Sequence, residues 1–307
     1  MSRLLAAGAL VLLGCSREVA GAAPAASSGA TPRPAESGAA AASASAGAAA
    51  CGNLNCRVFA DATGAFRAVL EQKPRLLGIG EAHALAGVEG VDSATRRFTR
   101  DLLPLLKGKA TDLVVEVLLP NPRCKAASQA ARKEQKVVTD HQAPTDQNEF
   151  VALGTAALAL GIRPFALEPT CDDLARIGRG GSEAVAGSLE AITRLSTEKV
   201  IALLKERGGP GGEGIIVLYG GAMHNDAVPG KGKEPWSYGP AARDASNGRY
   251  IEVDLIVPEY VKKTPAWESL PWFASYDPAA HPRDATLFEL GAASFVVVFP
   301  ATPATPR

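Results

Sequence analysis

The chain has 307 residues, and its 32 lysines and arginines balance its 32 aspartates and glutamates. No basic stripe is visible along the sequence, which argues against nucleic acid as a partner. Past the N-terminal stretch no run of about 18 apolar residues occurs, so we expect no other contact with a membrane. These features favour a protein whose partner is a small-molecule or peptide substrate.

The N-terminus has the pattern of an export signal. Residues 1–14 combine Arg3 with an apolar stretch from Leu4 to Leu13, which is too short to span a bilayer. The sequence "LLGC" ending at Cys15 resembles a bacterial lipobox, in which the cysteine is acylated after cleavage. This resemblance implies a lipid-anchored, extracytoplasmic protein, and Ser16 favours the outer membrane. The alternative is an ordinary signal peptide with a chance cysteine.

A low-complexity segment follows the signal. Residues 15–50 consist almost entirely of Ala, Ser, Gly, Pro and Thr, which cannot bury enough apolar surface to offset the entropy of ordering. We therefore predict a disordered tether. Residues 51–300 have the length of one folded domain, and residues 301–307 are expected to form a loose tail.

Short apolar runs alternate with amphipathic ones through the folded part. The runs that predict strands are 75–81, 112–120, 162–169, 214–221, 249–258 and 294–300. Helices are predicted at 93–108, capped by Asp92 and kinked at Pro104, at 146–161, and at 182–208, where Ser196 would cap a second helix. The alternation indicates a single α/β domain with a parallel-rich sheet and helices on both faces. The last two strands have no clear crossover helix between them, which leaves a mixed sheet open.

Four cysteines remain once Cys15 is set aside. They form no CxxC pair of the kind that binds zinc, and cysteines in an exported chain usually form disulfides. We favour the pairs Cys51–Cys56 and Cys124–Cys171, because Cys124 and Cys171 each follow the end of a strand, on neighbouring strands. Free buried thiols are the alternative.

Polar side chains recur where the predicted parallel strands end. In open α/β sheets, ligands bind beyond the carboxyl ends of the strands, so these residues are candidates for a site. The candidates, in chain order, are Glu81, His83, Glu116, Glu168, Tyr219, His224, Asn225 and Asp226. Any one of these residues is equally well explained as a helix cap or a structural hydrogen-bonding residue. Their recurrence at one edge of the sheet is the stronger indication of a site. The other two histidines, His141 and His281, lie in polar loops and are expected at the surface.

Two imidazoles with carboxylates suit a divalent transition metal that keeps an open position for water. The metal ligands would be His83, His224 and one of Glu81, Glu116 or Glu168, and a remaining glutamate would act as general base. The same residues could also activate water without a metal. No GxSxG motif, P-loop or helix-opening GxGxxG occurs, which disfavours a serine nucleophile and nucleotide binding.

Two short motifs resemble those of a known superfamily. The strand ending "GIGEAH" and the later strand ending "YGGAMHND" are similar to the hallmark motifs of the ChaN-like haem-binding lipoproteins, the Tiki and TraB-type proteins and the erythromycin esterases. The resemblance covers residues 76–226 and implies an α/β fold with a parallel-rich sheet. Within this superfamily, Tiki members are metal-dependent proteases, the esterases hydrolyse a lactone, and the ChaN-like members bind haem.

The resemblance assigns residues only where the motifs match. Glu81 and His83 match the first motif and His224 the second, whereas Glu116 and Glu168 correspond by strand-end position alone. We predict an extracytoplasmic metal-dependent, or His/Glu-based, hydrolase of an ester or amide, because these groups cluster at one edge of the sheet. The alternatives are a haem- or iron-binding lipoprotein without turnover, with Tyr219 and His224 as iron ligands, and a degenerate non-catalytic member. The chain lacks the long helical insertion of the erythromycin esterases.

Overall fold

The computed structural model describes residues 47–51, 54–84, 87–88, 90–139, 142–143 and 146–303. The predicted signal peptide, Cys15 and the tether up to residue 46 lie outside the described residues. In the described part of the chain, nine strands form one sheet in the order β1-β2-β8-β9-β7-β3-β6-β4-β5. In chain order they are β1 (Gly47–Cys51), β2 (Leu54–Phe59), β3 (Leu76–Glu81), β4 (Ala110–Leu118), β5 (Arg163–Leu167), β6 (Ile215–Gly221), β7 (Tyr250–Ile256), β8 (Ala285–Gly291) and β9 (Ser294–Val298).

The sheet is mixed and largely parallel, as the sequence predicts. Strand β3 pairs in parallel with β6 and β7, β4 with β5 and β6, and β7 with β9. The antiparallel part is formed by β1, β2 and β8, and β8 also pairs with β9. The last two predicted strands, β7 and β9, are therefore parallel to each other. The mixed character comes from β2 and β8, which the hydrophobic pattern did not predict.

Helices cover both faces of the sheet. They are α1 (Ala62–Leu70), α2 (Ala94–Arg97), α3 (Lys125–Thr139), α4 (Asp146–Ala159), α5 (Cys171–Ile177), α6 (Gly181–Glu206), α7 (Gly239–Ala245) and α8 (Pro265–Glu268). Leu77, Ile79 and Val217 face an apolar cluster with α1, α2 and α4. Leu76 and Ile216 face a second cluster with α3, α5, α6 and α7. We refer to these as the α4 face and the α6 face.

Two predicted helix caps are wrong. Ser93, not Asp92, caps α2, because its side chain accepts a hydrogen bond from the backbone N–H of Arg96. The segment predicted as one helix over 93–108 continues as a π-helical turn at Phe98–Leu102 and a 3-10 turn at Leu103–Leu106, where Pro104 cannot donate a backbone hydrogen bond. Ser196 is buried within the continuous helix α6 and caps nothing.

Arg75, immediately before β3, is fully buried at the N-terminal edge of the sheet. Its guanidinium donates to three backbone carbonyl groups, those of Arg207, Gly209 and Gly214. These bonds join β3 to the loop between α6 and β6. A buried cation is stable only when its donors are satisfied, and here the loop supplies the acceptors.

Asp112 of β4 is also buried at this edge. Its carboxylate accepts hydrogen bonds from Arg163, at the start of β5, and from Arg207, after α6. Burial alone would raise the pKa of Asp112, but the hydrogen bonds from Arg207, Thr111 and Arg163 outweigh it, so the pKa lies below its ordinary value. The two buried charged groups at the N-terminal edge, Arg75 and Asp112, therefore both have hydrogen-bond partners within the fold.

Both predicted disulfides are confirmed. Cys51–Cys56 closes the hairpin of β1 and β2, and Cys124–Cys171 joins the segments that follow the neighbouring strands β4 and β5. They indicate an oxidising, extracytoplasmic environment. Over the described residues, no helix is long and apolar enough to cross a membrane.

The structure differs from the predicted domain boundaries by a few residues at each end. Strand β1 begins at Gly47, inside the segment predicted as tether. At the other end, Arg97 donates to the carbonyl of Pro300 and to the hydroxyl of Thr302 at 2.7 and 2.8 Å. Ala301 donates from its backbone to the carbonyl of Pro282 at 2.9 Å. The first residues of the predicted loose tail are therefore held against the domain, and residues 304–307 lie outside the described residues.

Candidate functional site

Four of the five predicted catalytic residues lie at the C-terminal edge of the parallel strands, at the centre of the sheet. They are Glu81, His83, Glu116 and His224, and none of them is more than 7% exposed. They form two carboxylate–imidazole pairs. Because successive side chains of a strand point to opposite faces, the Glu81 pair lies on the α4 face and the Glu116 pair on the α6 face.

The first pair joins Glu81 to His83, just past β3. Glu81 Oε1 lies 2.9 Å from His83 Nδ1. The other carboxylate oxygen, Oε2, accepts hydrogen bonds from the hydroxyls of Thr95 and Tyr219 at 2.6 and 2.7 Å. A carboxylate surrounded by three donor groups acts as an ionised acceptor, so the proton between the pair belongs to Nδ1 of the imidazole. Glu81 therefore fixes both the orientation and the tautomer of His83.

The Tyr219 hydroxyl is held by its hydrogen bond to Glu81 of this pair. Its side chain is buried against Phe98 and Phe150, with ring centroids 4.9 and 5.9 Å away. Burial raises the pKa of the Tyr219 hydroxyl well above its ordinary value, and the charge of Glu81 raises it further. The hydroxyl therefore stays protonated as a donor to Glu81. An iron atom ligated by Tyr219, as in the haem alternative, would have to displace this hydrogen bond.

The second pair joins Glu116, near the end of β4, to His224, just past β6. His224 Nδ1 lies 2.7 Å from the carbonyl oxygen of Trp236 and 3.4 Å from the hydroxyl of Thr193. A carbonyl oxygen only accepts, so Nδ1 carries the proton and Nε2 of the neutral ring presents a lone pair. That lone pair faces Oε1 of Glu116 at 3.6 Å.

Neither of these two facing atoms has a hydrogen-bond partner among the described residues. Buried polar atoms are rarely left unpaired, and two facing lone pairs require a positive group or a donor between or beside them. Two ligands about 2.1 Å from one tetrahedral ion stand about 3.4 Å apart, close to the observed separation. The atoms of Glu116 and His224 therefore fit a proton, a water molecule or a divalent cation.

Gly221 lies where the two pairs meet, at the end of β6. Its backbone N–H donates to Oε2 of Glu116 at 2.7 Å. A Cβ atom at this position would lie 3.2 Å from Nε2 of His83 and 3.7 Å from Oε2 of Glu116. The next residues, Ala222 and Met223, are partly exposed. The absent side chain thus lets the His83 imidazole and the Glu116 carboxylate approach the same point at the sheet edge.

A third polar pair lies on the α6 face. The side-chain amide of Asn225, the residue after His224, donates from Nδ2 to Oδ1 of Asp254 on β7 at 3.0 Å. Burial raises the pKa of Asp254 well above its ordinary value, and its acidic neighbours Asp226 and Glu252 add to this. Asn225 itself is buried, and its Oδ1 has no hydrogen-bond partner in the described part of the chain.

The remaining predicted residues lie elsewhere. Glu168 is exposed after β5, the edge strand, and the structure does not bring it to the other four. His281 is exposed and lies 3.5 Å from Asp284, and His141 is outside the described residues. Over the residues that the structure describes, no three His, Cys, Asp or Glu side chains form a group that could hold a metal ion. The predicted ligands Glu81, His83 and His224 are thus divided between the two pairs.

Sequence reasoning missed the residues that orient the pairs. Thr95 and Thr193 are helix residues without a motif, and the contact of Trp236 is made by its backbone carbonyl, which no side-chain pattern reveals. Asp254 has a detectable signal, because a carboxylate within the apolar run "YIEVDLI" is costly unless it has a partner. The register of β3 and β7, which places Asp254 beside Gly80, could not be read from the sequence.

A separate cavity of about 1080 Å³ lies beside the start of α1 and the C-terminal segment, with Asp61, Arg97, Arg100 and Phe299 in its wall. Its lining contains none of the four site residues. Arg97 and Arg100 already pair with acidic side chains, including Glu259 and Asp92. The convergent pairs, which lie outside this cavity, define the candidate site.

No family model, curated protein or solved structure matches the chain. The resemblance of the two motifs stays a prediction, and the function has to be argued from the geometry of the site.

Proposed function

We propose that the protein hydrolyses an ester or amide bond outside the cytoplasm, with the two carboxylate–imidazole pairs as its catalytic groups. The observation that carries this proposal is the convergence of the two pairs at Gly221, whose Cβ position lies 3.2 Å from His83 Nε2 and 3.7 Å from the Glu116 carboxylate. A water molecule bound at this edge of the sheet would be in contact with a base. The substrate would approach from the partly exposed edge at Ala222 and Met223.

His83 acts as the general base in this proposal. Glu81 holds its Nδ1–H, so Nε2 is directed to the water and can take its proton as the bond to the substrate carbonyl forms. The charge of Glu81 stabilises the imidazolium that results, as the buried aspartate does in a Ser-His-Asp triad. The same proton is then given to the leaving alcohol or amine, which leaves the base ready for another cycle.

Glu116 and His224 would hold a divalent cation through Oε1 and Nε2. When bound, such a cation lowers the pKa of a water molecule and polarises a carbonyl oxygen. The carbonyl of Trp236 keeps His224 in the tautomer that presents Nε2. The hydrogen bond from Gly221 holds the other oxygen of Glu116, so that Oε1 stays directed to His224.

We further propose that the mature protein is anchored by a lipid on Cys15, in the outer membrane. This rests on the "LLGC" sequence and on the disulfides, which place the chain in an oxidising compartment. Labelling of expressing bacteria with a palmitate analogue tests it. Label that persists in a Cys15→Ser variant would contradict the anchor without bearing on the catalytic proposal.

The catalytic proposal is tested on p-nitrophenyl acetate and labelled casein as ester and amide probes. We expect His83→Ala to lower kcat/KM by about 10²- to 10⁴-fold, the range for a lost acid–base group, and Glu116→Gln to lower it because the cation loses a charged ligand. The matched controls are His281→Ala and Glu71→Gln, which change exposed residues away from the site. Unchanged hydrolysis in His83→Ala would refute the proposal. If hydrolysis persists after complete chelation, the role of the cation is contradicted, whereas the role of His83 as general base still stands.

A further inference from the structure

Asn225 has a buried oxygen that no part of the proposed mechanism uses. Its side chain is 1% exposed, and its Oδ1 has no hydrogen-bond partner within the described ranges. An unpaired buried amide oxygen is destabilising, so such an atom in a native fold needs an explanation. The neighbouring unpaired atoms are Nε2 of His224, on the preceding residue, and Oε1 of Glu116.

The strand register places these atoms side by side on the α6 face. Gly80 of β3 is paired with Gly220 of β6 on one side and with Asp254 of β7 on the other. A Cβ atom on Gly80 would lie 2.7 Å from Oδ1 of Asn225, and one on Gly220 would overlap the Glu116 carboxylate. The two glycines are one strand spacing apart, about 4.8 Å. Oδ1 of Asn225 and the Glu116 carboxylate, whose Oε2 is the oxygen nearest to Gly220, therefore lie over adjacent glycines in one row.

Asp254 determines which end of the Asn225 amide points along this row. Its Oδ1 accepts from Nδ2 of Asn225, which directs the amide nitrogen to β7. The amide oxygen lies over Gly80, the strand position next to Gly220 and the Glu116 carboxylate. The orientation of the amide is thus fixed by a partner outside the catalytic pairs.

We propose that Oδ1 of Asn225 is a third ligand for a divalent cation bound by Glu116 and His224, and that Asp254 is the positioning residue that aims it. This inference rests on the cation of the proposed function. In the described part of the chain, no three His, Cys, Asp or Glu side chains lie close enough to hold one ion. A third protein ligand must therefore come from another residue type. One imidazole nitrogen and two oxygens form a donor set that suits Zn²⁺ or Mn²⁺.

The test is calorimetric titration of the full chain with ZnCl2 and with MnCl2 after removal of bound metal. We expect Asn225→Leu, which keeps the size but loses the ligand atom, to weaken binding at least 10-fold. Asp254→Asn should weaken it about 10- to 100-fold, as loss of a partner behind a metal ligand typically does. The matched control is Asn148→Leu, which changes an exposed residue of α4 and should bind like the wild type.

Asn225→Asp separates ligation from a merely structural role. It keeps an oxygen for the cation but replaces the amide donor to Asp254 with a like charge. A ligand role predicts binding at least 10-fold tighter than in Asn225→Leu, and a rise of the unfolding temperature on addition of metal. A structural role predicts that both variants lose stability equally and that neither differs in affinity from the other.

The outcomes distinguish the two proposals. If the wild type binds neither ion, or if Glu116→Gln binds as the wild type does, the cation of the proposed function fails together with this inference. If the wild type binds and Glu116→Gln does not, but Asn225→Leu keeps wild-type affinity, only the role of Asn225 is overturned. Thermal unfolding of each variant without metal shows whether it is folded before the titration.

Discussion

At the scale of single residues, the candidate site depends on a side chain that is absent. Gly221 ends β6 between the two carboxylate–imidazole pairs, and its backbone N–H donates to Glu116 while its lack of a side chain admits the His83 imidazole. A larger residue could keep the backbone hydrogen bond but would press against His83. A substitution at this position therefore tests the placement of His83 without removing the hydrogen bond to Glu116.

Gly221→Ala should leave the fold intact and lower the hydrolysis of the ester probe by at least 10-fold. The added methyl group would lie 3.2 Å from His83 Nε2, which is tight enough to shift the imidazole that acts as base. The measurement is kcat/KM together with the thermal unfolding temperature. The matched control is Gly154→Ala in α4, where the nearest atom to the new methyl lies 3.7 Å away. Equal activity in the two variants would show that the position of His83 Nε2 beside Gly221 does not matter for hydrolysis.

At the scale of elements, two disulfides constrain the ends of strands to different degrees. Cys51–Cys56 closes a hairpin with a sequence separation of 5, and Cys124–Cys171 joins segments separated by 47 residues. The second bridge ties the 3-10 turn after β4 to the start of α5. It stands beside the strand that carries Glu116, so it limits the motion of the loop that follows the site.

The stability lost when a bridge is removed should increase with the number of residues in the loop that the bridge closes. In the chain-entropy description, replacing both cysteines with serine costs about 4 kcal/mol for Cys124–Cys171 and about 2 kcal/mol for Cys51–Cys56. Unfolding in guanidinium chloride at neutral pH, under oxidising conditions, measures both. The two double variants serve as controls for each other. A larger loss for the Cys51–Cys56 pair would show that native-state packing, and not loop closure, determines the effect.

At the scale of the whole molecule, the two edges of the sheet are built in opposite ways. At the N-terminal edge, the buried Arg75 and Asp112 have hydrogen-bond partners, backbone carbonyls for Arg75 and two arginines for Asp112. At the C-terminal edge, Glu116, His224 and Asn225 each keep a buried atom without a partner in the described residues. One edge therefore contributes stability, and the other holds polar atoms that a ligand or solvent can satisfy.

The paired edge predicts a loss of stability in acid. The pKa of Asp112 is lowered in the folded protein, so its contribution is present above its ordinary pKa of about 3.9 and is lost as the pH falls through the lower, folded value. Asp112→Asn should cost about 1–3 kcal/mol at pH 7, the range for hydrogen bonds to charged groups, and the difference from the wild type should shrink below about pH 4.

Urea unfolding at pH 7 and pH 3 measures this difference. The matched control is Asp101→Asn, an exposed partner of Arg100 that should cost less than about 1 kcal/mol at either pH. A cost for Asp112→Asn that is the same at both pH values would show that the pairing with Arg163 and Arg207 does not carry the acid sensitivity.

Much of the fold could be predicted because its central strands are continuous apolar runs. Strands β3, β4, β6, β7 and β9 are buried on both faces, and each was found within about two residues of its observed ends. Strand β8 was missed because it is an antiparallel strand interrupted by Glu289 and Gly291. The helix α3 was missed because its sequence is mostly polar residues and alanine, so it lacks the large apolar side chains by which the other helices were identified.

The site was predictable as a list of residues but not as a set of pairs. Strand-end position identified Glu81, His83, Glu116 and His224, since parallel strands bring their carboxyl ends to one edge. It also selected Glu168, because the order of the strands, which leaves β5 at the edge of the sheet, is not encoded in the local pattern. The division into pairs on opposite faces follows from the register and the side-chain alternation, which only the structure supplies.

The glycines beneath the polar side chains affect how the sequence can vary. A Cβ atom on Gly78 would collide with the Tyr250 hydroxyl, one on Gly80 with Asp254, and one on Gly220 with Glu116. In most proteins the large core residues tolerate substitution least, and the small ones tolerate it best. Along β3 and β6 this order is inverted. The apolar neighbours can be exchanged for others of similar volume, whereas even alanine is too large at these three glycines. In this sheet, the smallest residues are therefore the ones that tolerate substitution least.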